Sequence, residues 1–282
     1  MLPPPRQYAE EERPRHPVLD ALRVSSNYDD WFDEETVRIA RRSYYGLVSF
    51  LDRNVGLLMG ALESAGLMEE TRVIYTSDHG DNLGHRGLWG KSVMYDDAVA
   101  VPLVFAGPDV PDGKRVETPV SLIDLHQTVM NSVGSAMLRD DDISPGECLS
   151  NRFDQPSADR AVFSEYHDWS AITGMFMLRT RRWKIVRYPG FGDQLFDMVS
   201  DPQETNDLAD CPEYRPVLDM MRARLSSVVD VSQTKEDAFK DQRQKIADFG
   251  GREAILEGEE FGYTPAPIDM QAGGVPADKH EP

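Results

Sequence analysis

The chain has 282 residues, 40% hydrophobic and 28% charged, a globular balance with length for one large domain or two modest ones. No apolar run nears the roughly 20 residues that span a bilayer, and a formal charge of -19, from 49 acidic against 30 basic residues, repels a phosphate backbone, so neither membrane nor nucleic acid is an expected partner. Cys148 and Cys211 exclude a disulfide scaffold, and Met1-Leu2-Pro3-Pro4-Pro5 lacks the basic and apolar regions of a secretory signal, so a cytoplasmic setting is the expectation.

Residues 1–33, rich in Pro, Arg and acids, read as irregular chain wrapping a surface. From Thr36, Tyr44, Leu47, Leu51, Val55, Leu58 and Leu62 are spaced by threes and fours, the stripe of a long amphipathic helix stopped at Gly66. Val73-Ile74-Tyr75-Thr76 and Val101 to Phe105 are apolar, β-branched runs of the kind buried on both faces of a parallel sheet. Ser121 and Asp124 form a capping box before Leu122, Leu125, Val129 and Val133, and Gly134 ends that helix. Residues 139–160 read as a linker. Short strands follow at Ala161 to Tyr166, Gly174 to Arg179, Trp183 to Tyr188 and Gln194 to Asp197, the middle pair joined through Thr180-Arg181-Arg182, with a helix over Val217, Met220, Met221, Leu225 and Val228 laid across them. Residues 232–282 are a charged helix-like stretch and a Gly/Pro-rich tail. The expected fold is therefore α/β over residues 1–138, a mostly parallel sheet with flanking helices, plus a small antiparallel sheet with one helix over 161–231.

Asp78, His79 and Gly80 follow a buried strand, where open α/β sheets place their ligands. A carboxylate and an imidazole side by side suit a divalent cation, and Gly80 lets the backbone turn close to it. Lys91, twelve residues beyond His79, is a mobile point charge suited to an anionic ester. Asp81 and Asn82 also read simply as turn formers. His85 and His167 have no partner visible in the sequence, and His126 sits within a predicted helix. Met175, Phe176 and Met177 could line a pocket, although alternating strand residues are more often core.

The run "VIYTSDHGDNLGHRGLWGKSVMYDDAVAVPLV", from Val73 to Val104, resembles the metal-and-lysine segment of the sulfatases of the alkaline phosphatase superfamily. Arg86, in place of a histidine common there, makes it similar to the choline-sulfatase-like branch. The segments "FLDRNVGLLMGALESAGL", "VSLIDLHQTV" and "WKIVRYPGFGDQLFDMVSDPQETNDLAD" extend the resemblance over about residues 28–265.

The resemblance implies a hydrolase of sulfate monoesters acting on a small sulfated substrate. It implies a divalent metal, most often Ca2+ with Mg2+ or Mn2+ possible, held in part by Asp78 and His79. Lys91 and Arg86 would contact the substrate, and copies would assemble through the C-terminal tail. The family nucleophile, a formylglycine from a Cys-x-Pro/Ala-x-Arg motif, precedes this segment and is absent from the chain: Cys148 and Cys211 have an arginine four places on, but neither has Pro or Ala at the third position. The expectation is a C-terminal portion of a sulfatase, inactive alone, prone to aggregate and weak in cation binding. Phosphonate monoester hydrolases and phosphodiesterases of the same superfamily share the Asp-His pair and the lysine, and a silent remnant acting as a binding module is a third reading.

Overall fold

The computed structural model describes residues 2–134, 146–153, 157 and 159–257. The described residues up to Glu236 form one compact unit, and those from Asp237 a second.

The N-terminal stretch is more ordered than its composition suggests. His16 caps helix α1 (Pro17–Ser25), its ring Nδ1 accepting the Val18 N–H at 3.3 Å. Pro17 stands in the first turn, where a missing N–H is harmless. Val18, Leu19 and Leu22 are buried, a short apolar face hidden among charged neighbours. A one-turn helix α2 (Tyr28–Trp31) follows.

Helix α3 (Glu34–Ser64) starts two residues before Thr36, because Asp33 Oδ1 accepts the Thr36 N–H at 2.8 Å. Its apolar stripe is helical as expected but faces outward: Leu47 is 66% and Leu58 60% exposed, and only Val37 and Arg41, near its start, are buried. An apolar arc of this kind is the pattern of a helix that packs against a neighbour.

Strands β1 (Val73–Thr76) and β2 (Leu103–Ala106) pair antiparallel, Val73 opposite Ala106 and Thr76 opposite Leu103, which corrects the parallel arrangement expected for these two. Parallel neighbours need a crossover of about a dozen residues, usually a helix. The intervening chain holds only a 3-10 turn at His85–Gly87 and a one-turn helix α4 (Asp96–Val99), so it doubles back. Both strands are at most half-buried. In helix α5 (Asp124–Ser132) the Ser121 N–H donates to Asp124 Oδ2 at 2.8 Å, one arm of the expected capping box.

Strands β3 (Val162–Tyr166), β4 (Met175–Arg179), β5 (Trp183–Arg187) and β6 (Gln194–Asp197) form a four-stranded antiparallel sheet in sequence order. Helix α6 (Arg215–Ser226) covers one face, with Leu218, Met221 and Leu225 over Phe176, Leu178, Ile185 and Leu195. Met220 and Val228, assigned to that contact from the sequence, are exposed. On the inner face, Met175, Met177, Val186 and Tyr188 meet Val18 and Met94, while Phe196 and Met198 join Leu19, Leu22, Leu88 and Tyr95. The sheet thus shares its core with the N-terminal part. Of the expected linker, the described residues 146–153, 157, 159 and 160 carry a 3-10 turn at Leu149–Arg152 and an ion pair from Arg160 to Asp124 at 2.7 Å.

Helices α7 (Val231–Asp248) and α8 (Gly251–Glu257) form the charged stretch. The tail from 258, and with it the expected oligomer contact, lies outside the described residues. Among those described, no helix is long and apolar enough to cross a membrane.

Candidate functional site

The loop after β1 is closed by the two residues that read as turn formers. Asp81 Oδ1 accepts the N–H of Leu83 at 2.8 Å and of Gly90 at 3.2 Å. Asn82 donates from its side chain and its backbone to the Gly90 carbonyl, at 2.7 and 2.9 Å. This pinch holds Leu83 and Arg86 at positive φ, which costs a non-glycine residue about 1 kcal/mol or more.

Closing the loop returns Lys91 to the mouth of β1, its Nζ 2.7 Å from His79 Nε2. His79 Nδ1 lies 2.8 Å from the Gly80 carbonyl. A ring N–H donated there leaves the Nε2 lone pair to accept from the ammonium. Asp78 Oδ2 is 3.4 Å from the same Nε2. What desolvation there is pushes the Asp78 carboxyl up, but backbone hydrogen bonds and His79 outweigh it, so it titrates below the usual carboxylate value. Gly80 makes the turn possible: its N–H donates to the Ala98 carbonyl at 2.7 Å, and a Cβ there would run into the Asp97 carbonyl. Asp78, His79 and Lys91 line one cavity of about 570 Å³ whose far wall includes Tyr166, Met177 and Arg179 of the C-terminal sheet.

The donor set fits a divalent cation in part. A carboxylate oxygen and an imidazole nitrogen 3.4 Å apart can share one ion once Lys91 swings off Nε2 and frees its lone pair, and imidazole beside carboxylate suits Mn2+ at least as well as Ca2+. Among the described residues no group of three such donors gathers.

Arg86 is placed elsewhere than the sequence suggested. It is fully buried, donates to Asp97 Oδ2 at 2.7 Å, lies 3.9 Å over the Tyr95 ring and bonds the Gln203 carbonyl. It does not line the cavity. Burial pushes the Asp97 carboxyl up, and the hydrogen bonds from Arg86 and Arg6 overcome that and hold it below its ordinary value. The N-terminal helices clasp the loop from outside: Arg23 donates to the Arg86 carbonyl at 2.9 and 3.1 Å, and Phe32 stacks on Trp89 at 3.9 Å.

His85, which has no partner visible in the sequence, accepts the Arg6 N–H at Nδ1, at 2.8 Å. His126 is exposed on α5, and His167 Nε2 lies 3.5 Å from Glu165. Met175 and Phe176 are core, whereas Met177 reaches the cavity. Sequence reasoning missed Asp96 and Arg179 on the cavity wall, because neither stands in a local motif.

An α/β unit with carboxylate, imidazole and ammonium on one cavity wall, backed by a small antiparallel sheet, has the alkaline-phosphatase-like fold, as in solved sulfatases. Residues 4–135 match the family model of the sulfatases, and residues 84–231 that of the N-sulphoglucosamine sulphohydrolase C-terminal region. The chain is 32% identical to arylsulfatase K of Danio rerio, over 83% of this chain and 46% of that protein. It is 32% identical to choline-sulfatase of Rhizobium meliloti (strain 1021), over 70% of this chain and 38% of that protein. Among solved structures, the phosphonate monoester hydrolase SpPMH of Silicibacter pomeroyi superposes with a TM-score of 0.68 at 25% identity, over 80% of this chain and 50% of that one. The chain belongs to the sulfatase family. It spans less than half the length of these two relatives.

Proposed function

We propose that these residues form one side of the active site of a sulfuric ester hydrolase, in which a small sulfate monoester is split by water into an alcohol and inorganic sulfate. The observation that carries this reading is the convergence of Asp78, His79 and Lys91 on one cavity, with Lys91 Nζ 2.7 Å from His79 Nε2. Lys91 binds an anionic oxygen of the ester, a point charge that reaches without a fixed geometry. Asp78 and His79 would hold a divalent cation, Ca2+, Mn2+ or Mg2+, which when bound polarises ester oxygens as a Lewis acid. Asn82 and Asp81 keep Lys91 in place through Gly90, and apolar side chains of the cavity, Val99, Leu122 and Met177, offer contact to the alcohol.

The attacking group belongs to the formylglycine type of the resembling family, and neither Cys148 nor Cys211 has the flanking residues for it. We therefore propose that this sequence turns over no ester alone and contributes its half-site to a polypeptide of the length of its relatives. The structural likeness to a phosphonate monoester hydrolase favours one second reading, the same site acting on a phosphonate ester.

Turnover of 4-nitrophenyl sulfate and of 4-nitrophenyl phenylphosphonate, by a polypeptide of that length carrying these residues, separates the two. The sulfate is expected to be hydrolysed faster, and Lys91→Ala to lose at least about a hundredfold. Faster phosphonate turnover supports the second reading, and an unaffected Lys91→Ala sinks both.

A further inference from the structure

Among the described residues two cations line the cavity, Lys91 at the rim and Arg179 at the end of β4. Arg179 stands opposite Val162 of β3 and Lys184 of β5 in the sheet register. Like charges facing each other on one side of a sheet repel. The Asp96 carboxylate relieves this by bridging them, Oδ1 taking Lys184 Nζ at 2.8 Å and Oδ2 taking Arg179 Nη2 at 3.1 Å. Lys184 is fully buried and also holds Glu204 at 2.6 Å, so its role is spent inside the fold.

Arg179 differs from Lys184. Its side chain is 27% exposed, and its Nε has no hydrogen-bond partner. A guanidinium carries five N–H donors in a rigid fork. Nε is enclosed and a single carboxylate aims the fork through Nη2, so the exposed part of the guanidinium is what remains for a ligand on the wall of the cavity that also holds Lys91. The other anion on that wall, Glu165, lies 3.5 Å from His167.

We infer that Arg179 is a substrate-binding residue that recognises a second anionic group, a carboxylate or a further sulfate, on the alcohol portion of the ester. This rests on the reading above, in which Lys91 meets the scissile sulfate. An alcohol bound in the same cavity then extends over Val99, Leu122 and Met177 toward the C-terminal sheet. Carboxylate and sulfate both present paired oxygens that a guanidinium takes bidentately. The preferred substrate class is accordingly a sulfate ester of an acidic alcohol.

Four aryl sulfates on one skeleton test this by calorimetric titration of the full chain in a manganese-containing buffer: phenyl sulfate, 4-sulfooxybenzoate, hydroquinone disulfate and 4-(trimethylammonio)phenyl sulfate. One or both doubly anionic probes are expected to bind about tenfold more tightly than phenyl sulfate, and which of them does so tells carboxylate from sulfate. Arg179→Met is expected to bring that ratio close to one, and Arg179→Lys, which keeps the charge, to retain part of it. Equal affinities in the unaltered chain, a ratio that survives Arg179→Met, or preference for the trimethylammonium probe overturns the inference alone. If no probe binds, or if Lys91→Met leaves phenyl sulfate binding unchanged, the sulfate reading itself falls and the inference falls with it.

Discussion

Arg86 and Asp97 are joined at 2.7 Å beneath the loop that carries Lys91, with the guanidinium covered by the Tyr95 ring at 3.9 Å. Asp97 also receives Arg6, at 2.7 and 2.8 Å. Its neighbour Asp96 turns the other way, to Lys184 and Arg179. Two consecutive aspartates thus fasten α4 to the N-terminal segment on one side and the C-terminal sheet on the other, and the Gly80 turn rests on α4.

Arg86→Met is therefore expected to act on stability. Removing one partner of a buried ion pair costs about 3 kcal/mol, read as a lower urea midpoint. A variant that keeps its midpoint but loses phenyl sulfate binding would return Arg86 to the substrate-contacting role its position in the motif suggested.

Acid should weaken the fold in two stages. Burial lowers His85 from 6.5 to about 4, so the native state resists a proton that the unfolded chain accepts. The stability tied to neutral His85 is complete above about pH 6.5 and drains as pH falls toward 4. Asp97, held below its ordinary value, adds a loss at still lower pH. Urea midpoints measured from pH 7 to pH 4 should decline, and His85→Asn, which keeps an acceptor for the Arg6 N–H, should flatten the upper part of that slope. A flat profile in the unaltered chain contradicts this.

Gly80→Ala places a Cβ against the Asp97 carbonyl. The backbone has to shift, which for overpacking costs about 1 to 3 kcal/mol, and the shift falls on His79 and Lys91. A lower melting temperature together with altered His79 ring nitrogen shifts by NMR is expected. Unchanged ring shifts would show that the turn tolerates the methyl.

The outward stripe of α3 should make the chain bind 8-anilinonaphthalene sulfonate and associate as concentration rises, because contiguous apolar patches beyond a few hundred Å² promote association. Leu47→Glu with Leu58→Glu should suppress both with less than about 0.5 kcal/mol of lost stability, since these positions are exposed. A monodisperse, dye-silent parent chain would refute the prediction.

Two donors hold a divalent ion weakly. Calorimetry on this chain should give calcium and manganese affinities no tighter than about 100 μM, manganese the stronger because imidazole suits it better, with the manganese heat lost in His79→Ala. Micromolar calcium binding would mean that further donors complete the site.

Elements with a local cause were legible in the sequence. The four strands of the C-terminal sheet are stated by short apolar and aromatic runs with turn residues between them, the start of α5 by its capping box, and the closed loop by Asp81 and Asn82, whose bonds reach no farther than Gly90. Asp78, His79 and Lys91 lie within that local reach, which is why the sequence names them together. Only the tertiary structure decides what a side chain meets across long stretches of chain. Asp96 finds Lys184 88 positions away, and Arg6 finds Asp97 91 positions away. Arg86, read as a substrate contact, is instead drawn inside by Asp97, and the stripe of α3, read as a packing face, lies open among the described residues. Periodicity reports backbone torsion and side-chain direction, both local quantities. Burial and charge pairing depend on which distant surface arrives opposite, and that is set by the fold as a whole.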